Sequence, residues 1–455
     1  MVPAVGQGRD NDLAVTKKAL LDLGKRIDYS GAETLVMITP HGTVFRDGIG
    51  INGVEELEGD LSSFGAPQVK FTLSNDLSYA HAIKSSAEKT GVTAALINAS
   101  AAARYGVPTT LDHGITAPLY FLREAGVDIP LVHISMGLLP RLKLYDFGVA
   151  LREAAWDLDK RVAVVASSDL SHRLTPDAPN GYHAAGKEFD ELLVSLTGAG
   201  DVEGICALDE ELTENAGECG LRAIIMMLGA LDGSEIKSEV LSYEGPFGVG
   251  YLVASLRPGA KNISRRFQDK LAYAALDKLD KKRALESLPV RLAREVLEHY
   301  YNGQKEHLYD IAQVPQELSG CRAGVFVSLK KHGQLRGCIG TISPVQNSIA
   351  EEIAANAVSA AVRDPRFNPV VRAELRELDI SVDIMAEPEP VADITELDPK
   401  RYGVIVSSGS RRGLLLPDLE GIDTSAEQVA AAKQKAGLEP HEKVNLERFE
   451  VVRYK

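Results

Sequence analysis

From residue 13 to about residue 256, short apolar runs alternate with longer stretches whose apolar residues recur at helical spacing, and this alternation limits the possible folds most. Thr34–Thr39 (TLVMIT) is a continuous apolar run closed by Pro40, the pattern of a strand buried on both faces. Residues 69–73, 129–135, 162–166, 240–243 and 249–256 also read as strands. Residues 13–27, 77–90, 145–159, 181–196 and 220–231 read as helices. The second of these is opened by Ser74-Asn75-Asp76 and stopped by Gly91. Strands separated by helices predict an α/β domain, a mostly parallel sheet covered on both faces. Its start is unusual: the chain opens with a loop and a helix, where such sheets begin with an apolar strand.

At 455 residues the chain is too long for one ordinary core. Residues 257–267 open with the polar, Pro- and Gly-containing run RPGAKNISRR and read as a linker between domains 1–256 and 268–455. Beyond the linker, residues 267–301 read as one or two amphipathic helices. Residues 324–329 and 335–342 form a hairpin through Lys330 to Gln334, and 402–406 and 413–416 form a second one. With an Ala-rich helix at 348–363, a strand at 379–385 and a helix at 426–436, this half predicts an α+β domain.

Composition removes several function classes. The formal charge is -14 and the few basic pairs sit among acids, which argues against a nucleic-acid partner. No window approaches 18 uninterrupted apolar residues, so no membrane span is expected. The four cysteines, Cys206, Cys219, Cys321 and Cys338, form no C-x-x-C pair, which suits a reducing, cytoplasmic setting. The first residues have neither the basic nor the apolar region of a signal peptide.

Four short motifs carry chemistry: Thr39-Pro40-His41-Gly42, Leu111-Asp112-His113-Gly114, Ser168-Asp169-Leu170-Ser171-His172 and Gly217-Glu218-Cys219-Gly220. His41 and His172 follow predicted strands, at the sheet edge where ligands of open α/β sheets bind. Each residue has a bland alternative. A histidine after a strand can simply bond to loop backbone, Glu218 can complement a helix dipole, and Asp169 can cap a turn. His133, within LVHIS, reads as a core histidine, and His81 and His183 as solvated helix residues. Taken together, three histidines and a glutamate in Gly-, Pro- and Ser-rich turns suit a 2-His-1-carboxylate metal site with acid–base histidines beside it.

These motifs resemble the class III extradiol (LigB-type) ring-cleavage dioxygenases over residues 13–256, in the branch related to the Memo proteins. The resemblance implies a non-haem Fe(II) held by two histidines and a glutamate, with His41 and Glu218 as two of those ligands. His172, with Asp169 beside it, would be the acid–base group, and His113 would face O2 and a catechol-like aromatic substrate. The family's first strand and its His-Pro ligand have no counterpart here. The expectation is therefore a chain that holds iron poorly and exposes sheet edge where that strand belongs. Residues 268–455 resemble the AMMECR-one family through Leu335-Arg336-Gly337-Cys338-Ile339-Gly340, Asp364-Pro365-Arg366-Phe367 and Leu378-Asp379-Ile380-Ser381-Val382. There Cys338 is a candidate nucleophile with Arg336 to lower its pKa, against the alternative of a buried small hydrophobe. Glu352 and Asn356 are candidates to face a cleft. Three functions follow: an Fe(II) oxygenase; a non-catalytic binding or assembly module with a radical-SAM partner protein; and a zinc hydrolase or redox enzyme with Cys219 as an added ligand. A homo-oligomer is compatible with all three.

Overall fold

The computed structural model describes all residues except 1, 7, 305–308, 310–313, 332 and 420. Residue 332, in the turn of the first predicted hairpin, lies outside the described residues. The chain divides into two compact units, Met1–Asp277 and Lys278–Lys455.

In the first unit the strands are β1 (Thr34–Thr39), β2 (Ile49–Asn52), β3 (Glu56–Leu61), β4 (Ala66–Ser74), β5 (Ala94–Ile97), β6 (Leu131–Ser135), β7 (Val162–Ala166), β8 (Ser234–Glu244) and β9 (Tyr251–Lys261). The main sheet runs β5-β2-β6-β1-β7. β1, next to the edge strand β7, pairs in parallel with β6 and β7, and only β2 against β6 is antiparallel. Because side chains alternate along a strand, β1 feeds two cores. Val36 and Ile38 pack in one cluster with Tyr79, Phe147, Leu151 and Ile225, from the helices Leu77–Lys89, Arg141–Asp157 and Leu221–Gly229. Leu35 and Met37 pack in another with Ile27 of helix Ala14–Tyr29 and Ile115, Leu119 and Leu122 of helix His113–Glu124. A sheet covered on both faces is what the apolar run TLVMIT demands.

Several details depart from the sequence reading. β2 (IGIN) and β5 (AALI) were not anticipated, since four residues are too few to show a period. The strand read at 69–73 lies in β4, but it forms a separate antiparallel ladder with β3 instead of entering the main sheet. Residues 257–267 form no free linker. Arg257 to Lys261 complete β9 and pair with β8, and Phe267 opens the helix Phe267–Ala284 with its N–H bonded to the buried Asp232 carboxylate. The Pro and Gly that suggested a linker instead sit at the end of a two-stranded ribbon, where they are tolerated. Among the described residues no strand pairs with the outer edge of β7, and all five residues of VAVVA are only half-buried.

In the second unit, β10 (Val325–Lys331), β11 (Gln334–Gly340), β12 (Leu378–Met385), β13 (Glu389–Val391), β14 (Gly403–Ser408), β15 (Arg411–Leu415), β16 (Asn445–Phe449) and β17 (Val451–Tyr454) form two antiparallel sheets, β11-β10-β12-β17 and β13-β16-β14-β15. The Ala-rich helix Ile349–Val362 starts at the Ser348 cap and buries Ile353, Ala357 and Ala360 with Val325, Val327 and Val382. Helix Ser425–Lys435, opened by a Thr424/Glu427 capping box, covers the second sheet. The α/β half followed by an α+β half is the architecture read from the sequence. Among the described residues no helix is long and apolar enough to cross a membrane.

Candidate metal and acid–base site

The four motifs of the first unit converge through three turns at the carboxyl ends of β1 and β7. Pro40 ends β1, and the Thr39 hydroxyl accepts the His41 N–H at 3.1 Å. Asp112 caps helix His113–Glu124, accepting the Gly114 N–H at 2.8 Å and the Thr39 hydroxyl at 2.8 Å through the same oxygen. One carboxylate thus fixes the backbone before both His41 and His113, whose rings stack with centroids 4.2 Å apart. A side chain at Gly114 would put its Cβ 2.5 Å from the Thr39 hydroxyl, so the approach requires glycine. Behind this clamp, Asp112 Oδ2 faces His133 Nε2 at 3.3 Å, and neither atom has another hydrogen-bond partner among the described residues. His133 is buried in β6, as expected for a core histidine, and nothing in LVHIS signals that it backs the site.

The second group hangs from β7. Gly217 closes helix Glu210–Ala216 at φ +62°, which turns the chain so that Gly217 to Gly220 lie under Ser168 and Asp169. His172 Nδ1 donates to the Gly217 carbonyl at 2.8 Å, which leaves Nε2 toward Asp169 Oδ2 at 3.6 Å. Asp169 therefore faces His172 and does not cap a turn. Cys219 Sγ accepts the Asp169 N–H at 3.3 Å, and Asp169, His172 and Cys219 form a three-residue group with ligand atoms within 4.8 Å of one another. Glu218 accepts the Leu221 N–H at 2.6 Å at the start of helix Leu221–Gly229.

Electrostatics separate the two histidines. The Asp169 carboxylate raises His172 above the ordinary imidazole range, with the Gly217 carbonyl helping and burial opposing. Surrounding protein lowers His41, and the stacked His113 adds to the effect, although the His41 ring itself is open to the cleft. Burial raises Glu218 despite Arg222 and Arg141, and pushes the Cys219 thiol up to about 12. Because the folded His172 pKa is raised, its contribution to stability is present below the unfolded value and lost as pH rises through the folded one. An NMR titration of the histidine ring protons should place His172 above and His41 below a free imidazole. Asp169→Asn should bring His172 down while leaving His41 in place. Equal midpoints in the native protein would refute the assignment.

His41, His113 and Asp169 line a cleft of about 890 Å³ with Phe64, whose ring lies 5.2 Å from that of His113. Phe64 was not singled out in the sequence, because it lies in a short turn that carries no periodic signal. His183, read as a helix residue, instead caps helix Ala184–Ala199, its Nδ1 accepting the Ala185 N–H.

In the second unit Arg336 and Cys338 share a strand, but Arg336 does not serve the thiol. Its guanidinium pairs with both Glu374 oxygens at 3.0 and 2.9 Å and reaches the Asn368 and Pro369 carbonyls. Cys338 is half-buried and accepts a hydrogen bond from Ser328 at 3.1 Å, so it is not the fully buried hydrophobe of the bland reading. Glu352 and Asn356 do not face a cleft. Both are buried, Glu352 receiving Thr341, Val345 and Gln346, and Asn356 bonding the Val325 carbonyl.

Residues 1–254 match the family described as the catalytic LigB subunit of aromatic ring-opening dioxygenase, and residues 290–455 match AMMECR1. Protein CA_C1420 of Clostridium acetobutylicum is 40% identical over 456 residues, covering 100% of this chain and 97% of its own length. A Thermotoga maritima protein is 53% identical over 168 residues, 36% of this chain and 96% of its own. Among solved structures, uncharacterized protein PH0010 from Pyrococcus horikoshii aligns with a TM-score of 0.34 and 32% identity, over 36% of this chain and 88% of that one.

Proposed function

Because the chain belongs to the LigB family of aromatic ring-opening dioxygenase subunits over residues 1–254 and carries an AMMECR1 domain at 290–455, we propose that its first unit binds a catechol-like aromatic beside His41 and His113 and handles the substrate's protons through His172 and Asp169. The observation that carries this reading is the placement of His41, His113 and Asp169 on one largely apolar cleft, with His172 next to Asp169. The His41–His113 stack and Phe64 offer flat apolar faces to a ring. A neutral His41 can accept a proton from a phenolic hydroxyl, and a protonated His172 can donate one.

Members of this family typically use non-haem iron, which supplies the activation of O2 when bound. The donors described do not make up that centre. His41 and Glu218 are two of the expected ligands, but among the described residues no third His, Cys, Asp or Glu gathers with them within ligand distance. The group that does gather, Asp169, His172 and Cys219, supports a second reading, a zinc site with mixed O, N and S donors. The high Cys219 pKa weighs against it, since a thiol must lose its proton to bind zinc.

Catechol added to the metal-free protein should shift the ring resonances of His41, His113 and Phe64, and His113→Ala should weaken that binding about tenfold, roughly the 1.4 kcal/mol that one aromatic contact supplies. Catechol that leaves these three residues unmoved would refute the substrate reading. Anaerobic Fe(II) titration should show less than one tightly held iron per chain, and stoichiometric tight binding by His41 and Glu218 would show that the donor set is sufficient.

A further inference from the structure

The LRGCIG motif suggests Arg336 as the partner of Cys338, yet Arg336 belongs to Glu374. Two other guanidinium groups reach the thiol's side of the sheet from different parts of the second unit. Gly337 faces helix Ile349–Val362, since a Cβ there would lie 2.1 Å from the Ala360 carbonyl. Side chains alternate along a strand, so Cys338 faces the other way. There it stands opposite Ser328 of β10, which stands opposite Ser381 of β12, and all three are half-buried. Phe326 and Asp383, two residues farther on, share this face. Phe326 packs against Ile405, Leu414 and Phe449 of the second sheet. That sheet thus covers the face at Phe326 and leaves the row of Cys338, Ser328 and Ser381 at its open margin.

The Ser328 hydroxyl donates to Cys338 Sγ at 3.1 Å. Arg366, in the segment after helix Ile349–Val362, donates from Nη2 to the Cys338 carbonyl at 3.3 Å. The buried Asp364 carboxylate holds this guanidinium through Nε at 2.9 Å and Nη2 at 2.7 Å, and accepts the Cys338 N–H at 2.9 Å. Asp364 first, and then the Cys338 side chain, raise the Arg366 pKa, so the guanidinium also senses the sulfur. Arg453 of β17 stands farther along the face, held through Nε and Nη2 by the buried Asp383 at 2.8 and 2.9 Å. Asp383 chiefly, with Asp418 and the Cys338 sulfur adding to it, raises Arg453 in the same way. Both carboxylates take the Nε–Nη2 edge, so the Nη1 donors of each fork are not used by them. The Arg366 side chain is 54% exposed, within reach of a small molecule.

We propose that this cluster is a covalent site: Cys338 takes a small electrophile that carries a carboxylate, and Arg366 holds the carboxylate while the sulfur reacts. A planar guanidinium fork matches a carboxylate. The sulfur attacks as the thiolate, its proton having passed to water. An S–C bond forms, and the leaving group departs with the electron pair of the bond that breaks. Because Asp364 and Asp383 balance the two positive charges, selectivity comes from directed N–H donors and not from net charge. Arg453 supplies further donors along the face. The site lies wholly within the second unit and does not depend on the catechol reading.

The test treats the native chain at neutral pH with iodoacetate or with iodoacetamide, folded and then unfolded in urea, and follows the Cys338 peptide by mass spectrometry. Both reagents release iodide and both need the thiolate, so the ratio of their rates reports recognition of the carboxylate and not thiol acidity. Folding is expected to raise the iodoacetate-to-iodoacetamide ratio at Cys338 about tenfold, the size of one charge-assisted contact. Arg366→Gln should return the ratio to the unfolded value, Arg366→Lys should keep part of the gain, and Arg453→Gln should lower it less. The thermal transition of each variant checks that it is folded. An equal ratio in the folded and unfolded chains, a Cys338 that neither reagent modifies in the folded chain, or a ratio that Arg366→Gln leaves unchanged would overturn the proposal. The first two outcomes need no variant, so they decide the matter even if Arg366→Gln does not fold.

Discussion

Asp112→Ala is expected to destabilise the first unit by about 3 kcal/mol and to release both site histidines together. The loss of a helix cap costs about 1 kcal/mol. The Thr39 hydroxyl, the Gly114 N–H and the His133 ring then lose their acceptor in a mostly buried setting, and unsatisfied groups cost roughly 1–3 kcal/mol each before relaxation. Burial alone would raise the Asp112 pKa, but His133, Thr39 and the Gly114 N–H hold it below the ordinary carboxylate range. The ion is therefore the form that the fold uses. Asp112→Asn keeps the capping oxygen and should lose only about 1 kcal/mol, the charge-assisted share. Urea unfolding gives the stabilities, and the His41 and His113 resonances report the stack. An alanine variant within 0.5 kcal/mol of the native protein, with both resonances unmoved, would show that the carboxylate is not the clamp described.

Gly148→Ala is the second large effect, and its sign is the unusual part. In an exposed helix the change stabilises by about 1 kcal/mol, because glycine has more backbone freedom to lose. Here an added Cβ would lie 2.0 Å from the Met226 carbonyl and 2.7 Å from Gly229 Cα, where helix Arg141–Asp157 crosses helix Leu221–Gly229. Both obstacles are backbone, so the helices must separate, and the net loss should be about 3 kcal/mol. The second helix follows directly on Gly217 to Gly220, so separation also moves Glu218 and Cys219 away from Asp169 and should change the His172 titration. Gly198→Ala provides the contrast. Its Cβ would meet only a Val240 methyl at 3.5 Å, so that variant should be neutral or slightly more stable. Thermal unfolding of the two variants side by side decides the matter, and similar midpoints would refute the crossing argument.

The elements legible in the sequence were those long enough to show a period or bounded by strong punctuation. TLVMIT before Pro40, the helix between Asp76 and Gly91, and the Ala-rich helix after Ser348 all appear where expected. β2, β5 and β13 were not legible, because three or four residues show no period, and their pairing depends on neighbours distant in the chain. The linker reading of 257–267 failed for a related reason: Pro and Gly mark irregular backbone, yet a ribbon end accepts both. In the site, the Gly- and Pro-flanked motifs drew attention to His41, His113, Asp169, His172 and Glu218. Phe64 and the role of His133 stayed hidden, since one lies in a short turn and the other looks like any core residue.

By itself the sequence determined which segments bury apolar surface and with what period, and so the α/β and α+β halves. It also set His41, His113, Asp169, His172 and Glu218 in four short motifs rich in Gly, Pro and Ser. The tertiary structure alone decided which partner each polar atom meets. It turned Asp169 toward His172, gave Arg336 to Glu374 and not to Cys338, and among the described residues gathered no third donor with His41 and Glu218. Hydrophobic burial is read along the chain because it depends on each residue's own side chain. Hydrogen-bond partners, pKa shifts and open edges depend on atoms that only folding brings within a few ångströms.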